Sequence, residues 1–205
     1  MLELLRARLA ARSQAAVPEQ SEQRRHRRHS VLMKATVYPI DLYRDAIIND
    51  ASRTGLMGEA DVELEVGQTV HVTLNEREHY TGTVRWTHGR QFGLDLRDEL
   101  KLAGLSEQVD HGSAIGHGPR AERIRLSLPA RLHTGQPPRP ATVRNLSRTG
   151  MLLETEQGLL PGQQILIRVG AWGLISGRVQ WSREGRIGIM TKVDVPILQM
   201  LYQED

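Results

Sequence analysis

The 205-residue chain contains no cysteine, which excludes disulfides and thiolate metal sites. Aromatic residues are scarce, with one Phe, three Trp and four Tyr, so any core must be built mainly from Val, Ile and Leu. No run approaches the roughly 20 apolar residues of a membrane-spanning helix. Glu3 and Arg6 interrupt the first apolar stretch, so the N-terminus does not read as a signal peptide. There is no P-loop, no dinucleotide fingerprint and no nucleophile paired with a base. A soluble cytoplasmic protein is expected, neither an enzyme nor a carrier of a cofactor or metal. His26 and His29 have metal-ligand spacing but no acidic third ligand nearby. The net charge is only +3, so its distribution matters more than its total.

What the chain does contain is a repeat. Asp50-Ala-Ser52-Arg-Thr-Gly55 returns as Asn145-Leu-Ser147-Arg-Thr-Gly150, a shift of 95 residues. The same shift superposes Arg28 on Arg123, Ala35 on Ala130, Gly82 on Gly177, Trp86 on Trp181 and Gly93 on Gly188. An ungapped repeat of this length means two copies of one domain. Residues 1–22 form a helix (2–16) and a polar linker, 23–110 the first domain, 111–118 a Gly-rich joint and 119–205 the second domain.

Each copy carries six short β-branched segments separated by turn residues, the pattern of a small antiparallel barrel or sandwich. The expected strands are Val31–Tyr38, Asp45–Asn49, Gly55–Val62, Thr69–Leu74, Glu78–Thr87 and Phe92–Leu96. In the second copy they are Leu126–His133, Ala141–Asn145, Gly150–Thr155, Gln164–Val169, Gly173–Ser182 and Ile187–Lys192. Pro39-Ile-Asp41 reads as a turn, and residues 39–44 and 134–140 as matching hairpin loops. Closing helices are expected over Asp98–Gln108 and Pro196–Gln203.

Two features point to an anionic, planar ligand. Arg24-Arg25-His26-Arg27-Arg28 supplies planar donor forks that suit phosphate or guanine O6 and N7. Asp50 or Asn145 can accept from the N1–H and N2–H2 edge of guanine, and the Ser52 hydroxyl can add a bond. Alone, the turn also reads as capped backbone with Gly allowing a positive φ. Trp86 and Trp181 read first as core or rim residues, with stacking on a ligand as the second reading.

Arg-x-x-x-Arg on an arm, followed by Asp/Asn-x-Ser-x-x-Gly, resembles the PilZ domain family, whose members are receptors for cyclic di-GMP. Gly82-Thr-Val-Arg-Trp86 and Phe92-Gly93-Leu94 are similar to that family too. The resemblance covers residues 24–108 and 119–203. It implies a tandem of two six-stranded antiparallel barrels, each with a C-terminal helix. It further implies that Arg24, Arg25 and Arg28 hold guanine and phosphate opposite Asp50, Ser52 and Gly55. The second copy has Pro119 where Arg24 stands, and Glu122 between Arg120 and Arg123. Ligand is therefore expected chiefly at the first domain. Arg120, Arg123, Asn145, Ser147 and Gly150 form a reduced set that binds weakly, assists the first site or serves a structural or dimerising role. A protein effector in motility, exopolysaccharide or virulence is the implied partner. A ligand-free adaptor and a nucleic-acid-binding arm are the rival readings.

Overall fold

The computed structural model describes residues 27–101, 124–156 and 159–202. The expected N-terminal helix, the Gly-rich joint, and Arg24, Arg25, Arg120 and Arg123 lie outside them. In chain order the strands of the first copy are β1 (Arg28–Ser52), β2 (Gly55–Ala60), β3 (Thr69–Thr73), β4 (His79–His88) and β5 (Gln91–Leu96). Those of the second are β6 (Ile124–Gly135), β7 (Arg139–Ser147), β8 (Gly150–Glu154), β9 (Gln164–Val169), β10 (Ile175–Arg183) and β11 (Arg186–Thr191). Helix α1 (Ile197–Tyr202) follows. It seats Met200 in the core next to Val195, whose amide donates to Arg148 O at 2.8 Å. Asp98 to Lys101 are not helical, and the rest of the expected Asp98–Gln108 helix falls outside the described residues.

The strands pair antiparallel in the order β2-β5-β4-β3-β6-β1-β7-β8-β11-β10-β9, with further pairings β1–β2 and β1–β9. The first six close a barrel, and β1, β7, β8, β11, β10 and β9 close a second circuit. The expected strands are therefore present within about two residues at their ends, with one exception. No turn occurs at Pro39, because β1 runs unbroken for 25 residues and belongs to both circuits.

This corrects the expectation of two domains that each fold from their own copy. The first half of β1 pairs with β7 (Ala35↔Ala141) and β9 (Val37↔Ile167), in the second circuit. Its second half pairs with β2 and with β6 (Ala46↔Ala130), in the first. Thus β6, a strand of the second copy, completes the first barrel, and the start of β1 completes the second. The copies have exchanged their first strands, as in a domain swap carried out within one chain. The cores show the same exchange. Ala130 and Leu132 are buried with Ile48, Val70 and Phe92, while Ala35 and Val37 are buried with Val143, Leu153 and Ile167.

The repeat itself makes the exchange cheap. Ala35 and Ala130 are equivalent, as are Val37 and Leu132, so either strand fills either core with similar apolar volume. The connections differ. Leu42 and Tyr43 carry amides and pair with Thr134 and His133, which keeps β1 extended. Their counterparts Pro137 and Pro138 have no N–H to donate, and the chain bends there between β6 and β7. Residues 134–140 are thus a link between strands of different circuits, and 39–44 is strand. Gly135 is needed where they meet, because a Cβ there would overlap Pro39 O.

The junction between the circuits is polar. Arg168 on β9 is buried and donates to Asp98 through Nη1–Oδ1 at 3.2 Å and Nη2–Oδ2 at 2.5 Å. His71, His79 and His133 gather beside it. The Tyr38 and His71 rings meet edge-on at 4.7 Å, as do those of His79 and His133 at 5.4 Å. The Thr81 hydroxyl and His71 Nδ1 are 3.2 Å apart.

Candidate functional site

The two repeated turns adopt the same local structure. The ladder slips between Ile48 and Asp50 in one and between Val143 and Asn145 in the other. Such bulges re-aim the residue that follows, here Asp50 and Asn145. Each turn is then braced from the end of the last strand of its copy. Leu96 N donates to Thr54 O and Leu100 N to Arg53 O, while Thr191 N donates to Thr149 O. The arginines of both turns are ion-paired, Arg53 with Glu99 at 2.6 Å and Arg148 with Asp194 at 3.3 Å.

The serines and glycines sit where the sequence places them but act locally. Ser52 Oγ donates to Gly55 O at 3.4 Å, and Ser147 Oγ to Gly150 O at 3.1 Å. Neither Gly55 nor Gly150 has a positive φ, so the expected reason for glycine does not hold. Close approach replaces it. A Cβ on Gly55 would stand 3.3 Å from Leu94 O, and one on Gly150 would overlap Ile189 O.

A second pair of bulges precedes the tryptophans, between Val84 and Trp86 and between Val179 and Trp181. Each indole lies on the glycine opposite it, Gly93 or Gly188, where a Cβ would overlap the ring nitrogen. Trp86 remains 40% exposed and Trp181 47%, so they are rim residues with a free surface rather than core. We expect Gly188→Ala to force the Trp181 ring off this seat at about 1–3 kcal/mol, the usual cost of overpacking. A lower urea midpoint and a changed near-ultraviolet circular dichroism spectrum would report it.

Turn, tryptophan and strand β1 converge on two pockets. One of about 350 Å³ is lined by Asp50, Ser52, Gly55, Arg85, Trp86 and Asp95. The other, about 220 Å³, is lined by Arg28, Asn145, Ser147, Gly150, Gln180 and Trp181. Arg28 is thus not beside Asp50, Ser52 and Gly55, with which the sequence groups it. It pairs in register with Ser147, and Ser30 Oγ donates to Asn145 Oδ1 at 3.3 Å. The partners of Asp50 and Ala51 across the ladder are Arg125 and Ile124 of the second copy. Sequence reasoning missed Arg125, which only the exchange of strands brings opposite Asp50, and it passed over Arg85 and Asp95. Those two form an ion pair of 2.6 Å on the wall of the first pocket.

Among the described residues no group of three or more His, Asp or Glu side chains is placed to hold a metal ion. No helix among them is long and apolar enough to cross a membrane.

The family model of the PilZ domain matches the chain twice, over residues 22–107 and 119–202. No curated protein and no solved structure matches it.

Proposed function

Since the chain belongs to the PilZ domain family, whose domains are cyclic di-GMP-binding effector domains, we propose that it is a bacterial cytoplasmic receptor for cyclic di-GMP that regulates a protein partner. One observation carries the reading. In both circuits an Asp/Asn-x-Ser-x-x-Gly turn and a half-exposed tryptophan meet at one pocket, and Arg28, which ends the arginine-bearing arm, lines the pocket of the second circuit. The side-chain oxygen of Asn145 or Asp50 can accept from a guanine edge, the indole face can stack on the base, and arginine can hold phosphate or guanine O6 and N7. In this reading the element that answers the ligand is the arginine-bearing arm, Arg24 to Arg28. Ligand neutralises it and draws it over the pocket, which changes the surface a partner meets. The partner belongs to motility, exopolysaccharide or virulence, the processes the family suggests.

Arg24-Arg25-His26-Arg27-Arg28 also suits a polyanion, and salt dependence separates the two readings. Titration calorimetry of the intact protein with cyclic di-GMP, GTP and a single-stranded RNA, at low and high salt, makes the comparison. The receptor reading expects micromolar or tighter binding of cyclic di-GMP alone, with modest loss at high salt. Equal binding of RNA that collapses with salt would replace it with a nucleic-acid arm. Absence of heat for all three would leave the adaptor reading. In the receptor case Arg28→Ala should weaken cyclic di-GMP about five- to 100-fold, the worth of a bidentate guanine contact.

A further inference from the structure

We infer that the two ligand sites are wired crosswise, the first strand of each copy bordering the turn of the other, and that the stronger site is the Arg28–Asn145 pocket rather than the one at Asp50. This rests on the receptor reading and deepens it.

The wiring follows from register. Arg28 pairs with Ser147 and Ser30 with Asn145, so the strand that Arg24 and Arg25 precede in sequence borders the second turn. Ile124 pairs with Ala51 and Arg125 with Asp50, so the strand that Arg120 and Arg123 precede in sequence borders the first turn. In sequence, the run with four arginines thus precedes the strand beside Asn145, and the run with Pro119 and Glu122 precedes the strand beside Asp50.

The pockets differ in charge in the same direction. The described lining of the Asp50 pocket holds one guanidinium, Arg85, which Asp95 already engages in an ion pair. The described lining of the other holds Arg28 and no carboxylate. Gln180 and Met190 stand at the repeat positions of Arg85 and Asp95, so that ion pair has no counterpart. A ligand that carries two phosphates is therefore drawn more strongly to the second lining. Arm and pocket thus both favour Asn145.

The absence of native cysteine allows the wiring to be tested without ligand. Antiparallel partners lie within disulfide reach. Crosswise wiring predicts that Ser30→Cys with Asn145→Cys forms an intramolecular disulfide on mild oxidation, and that Ser30→Cys with Asp50→Cys does not. The reverse pattern, or a cross-linked dimer, overturns the wiring whatever the ligand does. Calorimetry with cyclic di-GMP then ranks the sites. Asn145→Ala should weaken the tighter binding event at least tenfold and Asp50→Ala less than threefold. The effect of Arg28→Ala should be strongly non-additive with Asn145→Ala and additive with Asp50→Ala. A larger loss from Asp50→Ala, or coupling of Arg28 to Asp50, overturns the ranking. A correct disulfide pattern in a protein that binds no cyclic di-GMP overturns the receptor reading and the ranking while leaving the exchange intact.

Discussion

Acidification from pH 6.5 to 5 is expected to remove about 2–3 kcal/mol of stability, through histidines at the junction of the two circuits. Burial holds His71 down at about 3, helped by His133, His79 and Arg168 nearby. Burial also lowers His133 to about 4, with His79, Arg131 and Lys192 adding to it. His79 is lowered too, again chiefly by burial, against an opposing pull from the Arg77 backbone and Glu76. The unfolded chain protonates these rings near 6.5, so below that pH it binds more protons than the folded chain. Stability is then full above the unfolded value and falls as pH drops, by at most about 1.4 kcal/mol per pH unit for each histidine. Taken over His71 and His133, and discounted for partial exposure, this gives the stated loss. The window lies above the carboxylate range, which isolates the histidines. Urea midpoints at pH 6.5, 5.8 and 5 measure the effect, and His71→Leu, which installs the residue found at the repeat position 166, should flatten the dependence. A wild-type midpoint that does not move across the window would contradict it.

Asp98→Ala is expected to cost about 3 kcal/mol. Arg168 has only 8% of its side chain exposed, and Asp98, at 42%, is its ion-pair partner. Removing one partner of a buried pair leaves an uncompensated charge, at about 3–5 kcal/mol, and the partial exposure of Asp98 sets the lower end. Arg168→Met removes the buried charge itself and leaves Asp98 to water, so it should cost clearly less. The double substitution should recover most of the loss from Asp98→Ala. Urea unfolding of the four proteins closes the cycle. If Arg168→Met proves the more costly, the pair holds the circuits together by packing and the charge argument fails.

Much of this protein is legible in its sequence because it is written twice. Ten of the strands are marked by β-branched runs between turn residues, and the Asp50 and Asn145 turns stand out by their exact spacing. The exchange of first strands is not legible, and the repeat is the reason. Ala35 and Val37 have the same apolar pattern as Ala130 and Leu132, so nothing local says which core each strand enters. The connection decides, and Pro39 misleads there. A proline usually signals a turn, yet what keeps β1 straight is pairing through Leu42 and Tyr43, visible only once β6 lies beside them. The turn glycines were located correctly for a different reason, since the crowding comes from the neighbouring strands at Leu94 and Ile189. The histidine cluster draws on β3, β4 and β6, and no short window of sequence unites them.

The central claim is that cyclic di-GMP binds at the two turn pockets, and the three tryptophans report on it directly. Trp181 and Trp86 line those pockets, whereas Trp172 lines a separate cavity of about 500 Å³ beside Arg168. The measurement is a titration of cyclic di-GMP into nitrogen-15-labelled protein, with the indole N–H signals assigned from single Trp→Phe variants. The account predicts that Trp181 shifts first, Trp86 shifts at higher ligand, and Trp172 stays in place. Three unmoved signals at saturating ligand, or a shift confined to Trp172, would contradict it.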